Sequence, residues 1–410
     1  MARNFRRGRG ICCEPSVARA LVPAAFRLIG TPGEVSDAPQ LRCKLRSAGT
    51  SADAARTSAR ATALWAVSAF CALPSVAADY VSAQACRPCH AKQFGAQSST
   101  GHAHALHRAL THPLAAAWNS PRAARRAPSF EFRISAARIR AWDDKDVIDL
   151  PVHWAFGAGT QAVTFVTRVN REFHLEHFFS YYTAIKDFLP TPGQHSVKAG
   201  SLREAVGLLY KSEDSRVGIN GCFACHSTGP LQFGPDREIT PMESGVRCEA
   251  CHGPGGDHVG APSRSNIGNP KRLPPPQLNQ FCGRCHRPPT TDSAKFDWNY
   301  AWNVRHAPIY FNESACFRMS QSLSCLTCHA PHESIRKDSA HYNRQCRACH
   351  AAPKHRTVSA PRNCIDCHMP AVSPEPPLRF SNHWIGIYQS GAKLKPIASR
   401  RLAPPARGGP

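Results

Sequence analysis

The chain has 410 residues but no run of roughly 20 apolar ones, which excludes a polytopic membrane protein. Its composition is equally unlike a coiled coil or a collagen. Methionine is scarce at 4 residues, and aromatics make up only 8%. Acidic residues number 28 against 51 Lys and Arg. What the chain does have is 19 Cys and 21 His, and these are not scattered.

The pentapeptide C-x-x-C-H occurs seven times. Its copies are Cys86, Cys89 and His90; Cys222, Cys225 and His226; Cys248, Cys251 and His252; Cys282, Cys285 and His286; Cys325, Cys328 and His329; Cys346, Cys349 and His350; and Cys364, Cys367 and His368. Chance at these frequencies gives about 0.05 copies. Cysteines three apart lie one helical turn apart on one face. That suits two thioether bonds to the vinyl groups of one haem, with the following His reaching the iron as proximal ligand. Zinc uses such pairs two at a time, so seven pairs leave one over, and zinc does not explain the His after every second Cys. A disulfide scaffold does not explain it either. The reading is seven covalently attached haem c groups.

Such attachment requires export. Residues 61–73 form a short apolar run, preceded by Arg56 and Arg60 and followed by Pro74-Ser75-Val76-Ala77-Ala78. This is a signal-peptide layout spanning about residues 56–78. Cys71 follows the bulky Phe70 and makes a poor lipoprotein site. Residues 1–60 are Arg/Ala-rich, and an over-extended gene start is expected there. The expected mature chain, 79–410, keeps a net charge of +16 and about 47 residues per haem. That is too little protein for a conventional core around each haem. Porphyrins would supply the flat apolar surface that aromatics do not. Fourteen propionates would offset much of the positive charge, leaving a minority of Lys and Arg for an acidic partner. The high pI is therefore no argument for nucleic acid.

The gaps between motifs are 131, 21, 29, 38, 16 and 13 residues. Six motifs therefore crowd into the second half. In the long gap, 129–142 and 162–182 alternate apolar and polar residues and read as antiparallel strands, with a hairpin turn at 169–172. Residues 201–211 read as a short helix capped by Ser201. Short helices and long Pro/Gly loops, including 253–256 and 270–276, are expected around the haems. The expected fold is mainly α and irregular, a haem-packed multihaem cytochrome with a small antiparallel β segment between the first and second motifs. The divisions are a leader at 1–78, a first haem segment at 79–112, a mainly haem-free segment at 113–217, a six-haem domain at 218–390 and a flexible basic tail at 391–410.

Fourteen His lie outside the motifs, and only seven distal ligands are needed. Of the three Met in the mature chain, Met369 adjoins a proximal His and cannot reach the opposite face of the same haem. Bis-His ligation should therefore dominate, implying comparatively low potentials. The candidates are His102, His258, His332, His383, His306 and His355. His258 and His332 lie so close to His252 and His329 that each reaches a neighbouring haem more easily than its own. His174 and His177 read as ordinary strand positions, and Cys316 as a buried thiol.

Two stretches carry a resemblance. Val246 to Val259 (VRCEACHGPGGDHV) resembles the G-V-x-C-E-A-C-H-G-P-G-x-x-H pattern of cytochrome c-554-type multihaem cytochromes. Glu313 to Phe317, Leu323 to His332 and Cys364 to Pro370 resemble later segments of the same group. The resemblance implies a periplasmic fold of stacked and perpendicular haem pairs, with His102, His258 and His332 at ligand positions. It covers both carriers and enzymes acting on nitrite, hydroxylamine or tetrathionate. No C-x-x-C-K variant, the mark of a catalytic nitrite-reductase haem, is present. The expected function is electron transfer among redox partner proteins of the periplasm or membrane; a further reading has 113–217 dock the chain onto a membrane partner as a peripheral contact. Catalysis on a small nitrogen or sulfur species at one open haem is the alternative.

Overall fold

The computed structural model describes residues 79–118, 121–212, 218–289, 293–320, 322–351, 355 and 363–397. The expected leader at 1–78 lies outside them.

The chain opens with two helices, α1 (Ser82–Cys86) and α2 (Ala91–Ser98). Ten strands follow: β1 (Leu106–Arg108), β2 (Arg122–Arg126), β3 (Phe130–Ile134), β4 (Arg138–Trp142), β5 (Val147–Pro151), β6 (Trp154–Phe156), β7 (Ala162–Arg168), β8 (Phe173–Tyr182), β9 (Asp187–Pro190) and β10 (Gly207–Lys211). The helix α3 (Leu202–Ala205) precedes β10. Strands β2-β3-β4-β5 form a four-stranded antiparallel sheet. A six-stranded sheet runs β1-β6-β7-β8-β10, with β9 also on β8. The β segment is therefore not small, and the mainly-α expectation is corrected: ten of the fourteen strands among the described residues lie between the first two motifs.

The sheets pack face to face. Phe130, Phe132, Ile134 and Ile139 of one join Phe165, Leu175, Phe179 and Tyr181 of the other, around the buried Trp118, in one cluster. Phe132 and Phe179 meet edge to face at 4.9 Å. The second face of the six-stranded sheet is apolar too, because strand side chains alternate. Trp154 and Phe156 point away from that core, while Ala155 between them points into it. They pack against Ile219 and Phe223 of α4 (Ile219–His226), the helix that carries the second motif. The sheet is thus a platform for the first motif-bearing helix after it.

The 169–172 turn forms as read: the Asn170 carboxamide oxygen accepts from the Glu172 and Phe173 N–H groups at 2.8 and 2.9 Å. The 201–211 helix is cut short. Ser201 caps it, accepting from Glu204 N, but 207–211 is a strand paired to β8. Gly207 ends the helix at φ +143, and a Cβ there would lie 2.0 Å from the Glu176 carbonyl oxygen. Pairing with a neighbouring strand outweighs local helix preference.

Beyond α4 come the hairpin β11 (Ser227–Phe233) and β12 (Ile239–Ser244), then α5 (Cys248–His252), α6 (Gly256–Gly260), α7 (Pro275–His286), α8 (Ala307–Asn312), α9 (Ala315–Ser320), α10 (Cys325–Cys328), α11 (Ser339–Arg347) and α12 (Cys364–His368). A last short pair is β13 (Ala371–Val372) with β14 (Phe380–Ser381). The expected Pro-rich loop at 270–276 is shorter than read, since Pro275 begins α7 at the one position where a missing N–H is harmless. The tail expected to be flexible from 391 is tied down as far as 397. Asn382 Nδ2 donates to the Lys393 and Leu394 carbonyls at 2.8 and 3.0 Å, and Ile397 N donates to Ile387 O at 2.7 Å. Residues 398–410 lie outside the described set.

Candidate haem-binding site

Motifs two, three, four and seven lie wholly inside α4, α5, α7 and α12, and motif five has its cysteines in α10. Motifs one and six begin in the last turn of α1 and α11 and continue into a turn. In the helical motifs the two thiols therefore share one helix face, as thioether attachment to one porphyrin edge requires.

All 21 histidines fall within the described residues. Five motif imidazoles each face one imidazole from elsewhere in the chain. His90 faces His258 at 6.2 Å between ring centres, and His252 faces His332 at 6.0 Å. His286 faces His102 at 5.9 Å, His329 faces His383 at 6.2 Å, and His368 faces His355 at 6.1 Å. Two metal–imidazole bonds of about 2.0 Å, plus about 1.1 Å from each Nε2 to its ring centre, give about 6.2 Å. A single aromatic contact at this distance is ordinary. Five that all join one motif His to one non-motif His, within 0.3 Å of each other, are not.

The ring nitrogens agree. His252 Nδ1 donates to Gly268 O at 2.7 Å, and His368 Nδ1 to Gly386 O at 2.8 Å. His226 Nδ1 donates to Ala105 O at 2.9 Å, His258 Nδ1 to Ser263 O at 2.9 Å, and His383 Nδ1 to Ser381 O at 3.0 Å. A proton on Nδ1 leaves Nε2 with a free lone pair, which is the tautomer a metal ligand needs. Burial holds His286 and His383 down to about 4 and lowers His102, His226, His329 and His332. These rings are neutral at pH 7. The residues present fit iron held between paired imidazoles.

His226 and His350 have no imidazole opposite them among the described residues. His226 instead meets Phe156 edge-on at 5.4 Å. His306 is buried, and its Nε2 has no partner. His174 and His177 lie in the sheet, not in this array; they bond Ser212 Oγ at 2.9 Å and Thr167 Oγ1 at 2.7 Å. Cys316 is only half-buried, which corrects the buried-thiol reading.

The attachment points are contiguous. The Cys86 thiol touches Cys248, Cys225 touches Cys285, Cys282 touches Cys325, and Cys346 touches Cys364. Cys251 lies near Cys282 and Cys285, and Cys328 near Cys346. The motifs therefore run in space one, three, four, five, six, seven, with two beside four.

Sequence reasoning missed the device that joins motifs one and three. Glu249, between the cysteines of motif three, is 3% exposed. Its carboxylate accepts from Val81 N at 3.0 Å, Ser82 N at 2.8 Å and Gly255 N at 2.7 Å. One buried side chain thus fixes the start of α1 and the approach to α6, which carries His258. The acid stood in plain view within C-E-A-C-H, but only the fold shows the three donors.

Residues 193–253 match the family described as cytochrome c554 and c-prime. The chain is similar to the multiheme cytochrome MtrA of Shewanella baltica, 26% identical over 178 residues, covering 38% of this chain and 47% of that one. The match thus spans about half the length of that relative. Among solved structures, the outer cell wall cytochrome OcwA aligns over 75% of this chain and 79% of its own, at 14% identity and a TM-score of 0.44. The undecaheme cytochrome from the S-layer of Carboxydothermus ferrireducens aligns over 68% of this chain and 44% of its own, at 15% identity and a TM-score of 0.38. No helix among the described residues is long and apolar enough to cross a membrane.

Proposed function

We propose that this multihaem c-type cytochrome, cytochrome c554-like over residues 193–253, carries electrons along seven haems between redox partner proteins outside the cytoplasm, in the periplasm. The carrying observation is the unbroken order of attachment points, one-three-four-five-six-seven with two beside four. Bound haem would supply a one-electron iron couple at each point. The chain's own work is to hold, space and bury these groups. The proposed proximal ligands are the seven motif His. The proposed distal ligands are His258, His332, His102, His383 and His355, opposite His90, His252, His286, His329 and His368. Each distal His comes from a segment outside the motif it faces, so the segments interlock.

The test starts from the exported holoprotein. Mass and pyridine haemochrome should count seven haems. A single-site donor should then reduce all seven without a mediator. A count far from seven, or electrons confined to a subset, overturns the reading.

A second reading has one specific observation in its favour: His226 and His350 lack an opposed imidazole among the described residues. One of these irons would then bind a small nitrogen or sulfur species. Carbon monoxide added to the fully reduced protein should change the spectrum by one or two haems in seven. No change sinks this reading and leaves the carrier.

A further inference from the structure

We propose that Arg287, Arg305, His306 and Tyr310 form an anion-binding site beside the fourth attachment motif. Arg287 follows His286 directly and turns the chain out of α7 at φ +65. Its guanidinium lies over the Phe296 ring at 5.1 Å, and that of Arg305 over Trp302 at 5.4 Å. Neither makes a hydrogen bond or ion pair to any described residue. His306 is 7% exposed and its Nε2 has no partner; Tyr310 is 0% exposed and its hydroxyl has none. The four belong together: Arg305 directly precedes His306, Tyr310 N donates to His306 O at 3.4 Å, and the Phe296 ring under Arg287 meets the Tyr310 ring at 5.9 Å.

Burying a guanidinium costs several kcal/mol unless an acceptor meets it. Buried polar atoms without partners are rare, and here two of them, His306 Nε2 and Tyr310 Oη, stand beside two half-buried guanidinium groups. Two carboxylates lie nearby and both have partners: Glu176, beside Arg305, is engaged by Gln194 Nε2 at 2.9 Å and Tyr210 Oη at 3.2 Å, and Asp297, beside Tyr310, accepts from Asn299 N at 2.9 Å. The two guanidinium groups supply fixed donors and positive charge, and the His306 ring and Tyr310 hydroxyl can donate beside them. The ligand the cluster fits is therefore a carboxylate or small oxyanion, gripped by the planar fork of an arginine. Two sources share this chemistry. One is the propionate of the haem at motif four, which rests on the carrier reading above. The other is a free oxyanion, which does not.

Holoprotein carrying Arg305→Gln, and separately His306→Asn, is compared with the native protein at equal haem content. If Arg305→Gln fails to load haem, Arg305→Lys keeps the charge and loses the fork. Native protein is titrated with nitrite, sulfite and phosphate, following the Soret band and the melting temperature. A saturable response, weakened about tenfold or more by Arg305→Gln, assigns a free oxyanion. No anion response, but a displaced reduction wave for one haem in the variant, assigns the propionate. Arg138→Gln, whose native side chain pairs with Asp149 at 2.9 Å on the four-stranded sheet, serves as control and should change neither. The site is overturned if neither readout differs between native and variants. It is also overturned if His306→Asn creates a new carbon monoxide-binding haem, for His306 would then be an axial ligand.

Discussion

The two halves of this chain are held together by different means. The sheets between the first two motifs bury Trp118, Phe132, Phe165, Leu175 and Tyr181 in one dense side-chain core. Helices α6, α10, α11 and α12 bury no side chain at all. They meet through motif cysteines, paired imidazoles and bonds such as that from Cys364 N of α12 to Asn343 Oδ1 of α11 at 2.9 Å. Apolar sequence reports a fold only where side chains are the core. Where a prosthetic group is the core, ligand spacing replaces apolar period as the signal.

The strongest way to break this contrast is to withhold haem. Chain produced without haem attachment should lose most of its helical far-UV signal. Limited proteolysis should leave a resistant fragment covering about residues 106–212. Loss of both halves together would show that the sheets depend on the cytochrome half. Truncation in the other half is next. Phe132→Ala should cost about 3–5 kcal/mol of stability, because a fully buried ring between two sheets leaves a cavity. Chemical denaturation followed by far-UV signal measures it, and the haem spectra of the folded variant should stay native.

Legibility follows the same division. The seven motifs, the candidate distal residues His102, His258, His332, His383 and His355, and the strands at 129–142 and 162–182 all announce themselves through spacing or alternation. The other strands did not, and two of them show why. Strand β2, Arg122–Arg126, reads RAARR and shows no apolar face on its own, yet it completes a sheet by pairing with β3. Strand β10 sits in a stretch whose composition suits a helix. Which imidazole faces which was also invisible, since every pair except His355 with His368 joins distant segments. Glu249 was visible as a residue and not as a clamp.

Acid should separate the halves as well. Burial holds His174 down to about 4 and His177 down to about 3, both far below the usual 6.5. Both are 1% exposed in the sheet. The folded state keeps them neutral, while the unfolded chain takes up protons below pH about 6.5. Their contribution is complete above that value and lost as pH falls toward 4 and then 3. For His174 alone this amounts to roughly 3 kcal/mol at full effect. Stability of the native protein should therefore drop more steeply between pH 7 and pH 5 than that of a His174→Asn, His177→Asn double variant. Equal slopes would mean the carboxylates and haem-facing imidazoles dominate the acid response.

The smallest effect tests where local sequence still governs inside the sheet half. Ser201 caps a helix as its sequence context predicts, yet that helix runs only from Leu202 to Ala205. A cap on so short a helix matters only if that turn positions the strand after it. Here it does: Val206 O accepts from Phe178 N at 2.9 Å, and β10 begins at the next residue. Ser201→Ala removes the acceptor for Glu204 N and should cost about 1 kcal/mol. The loss should appear as faster amide exchange along β8 and β10, with no change at α7 or α12. If exchange rises only at 202–206, the cap serves its own turn and β10 is held by the sheet alone. If it rises along β10 too, a four-residue helix sets the register of the strand next to Glu176.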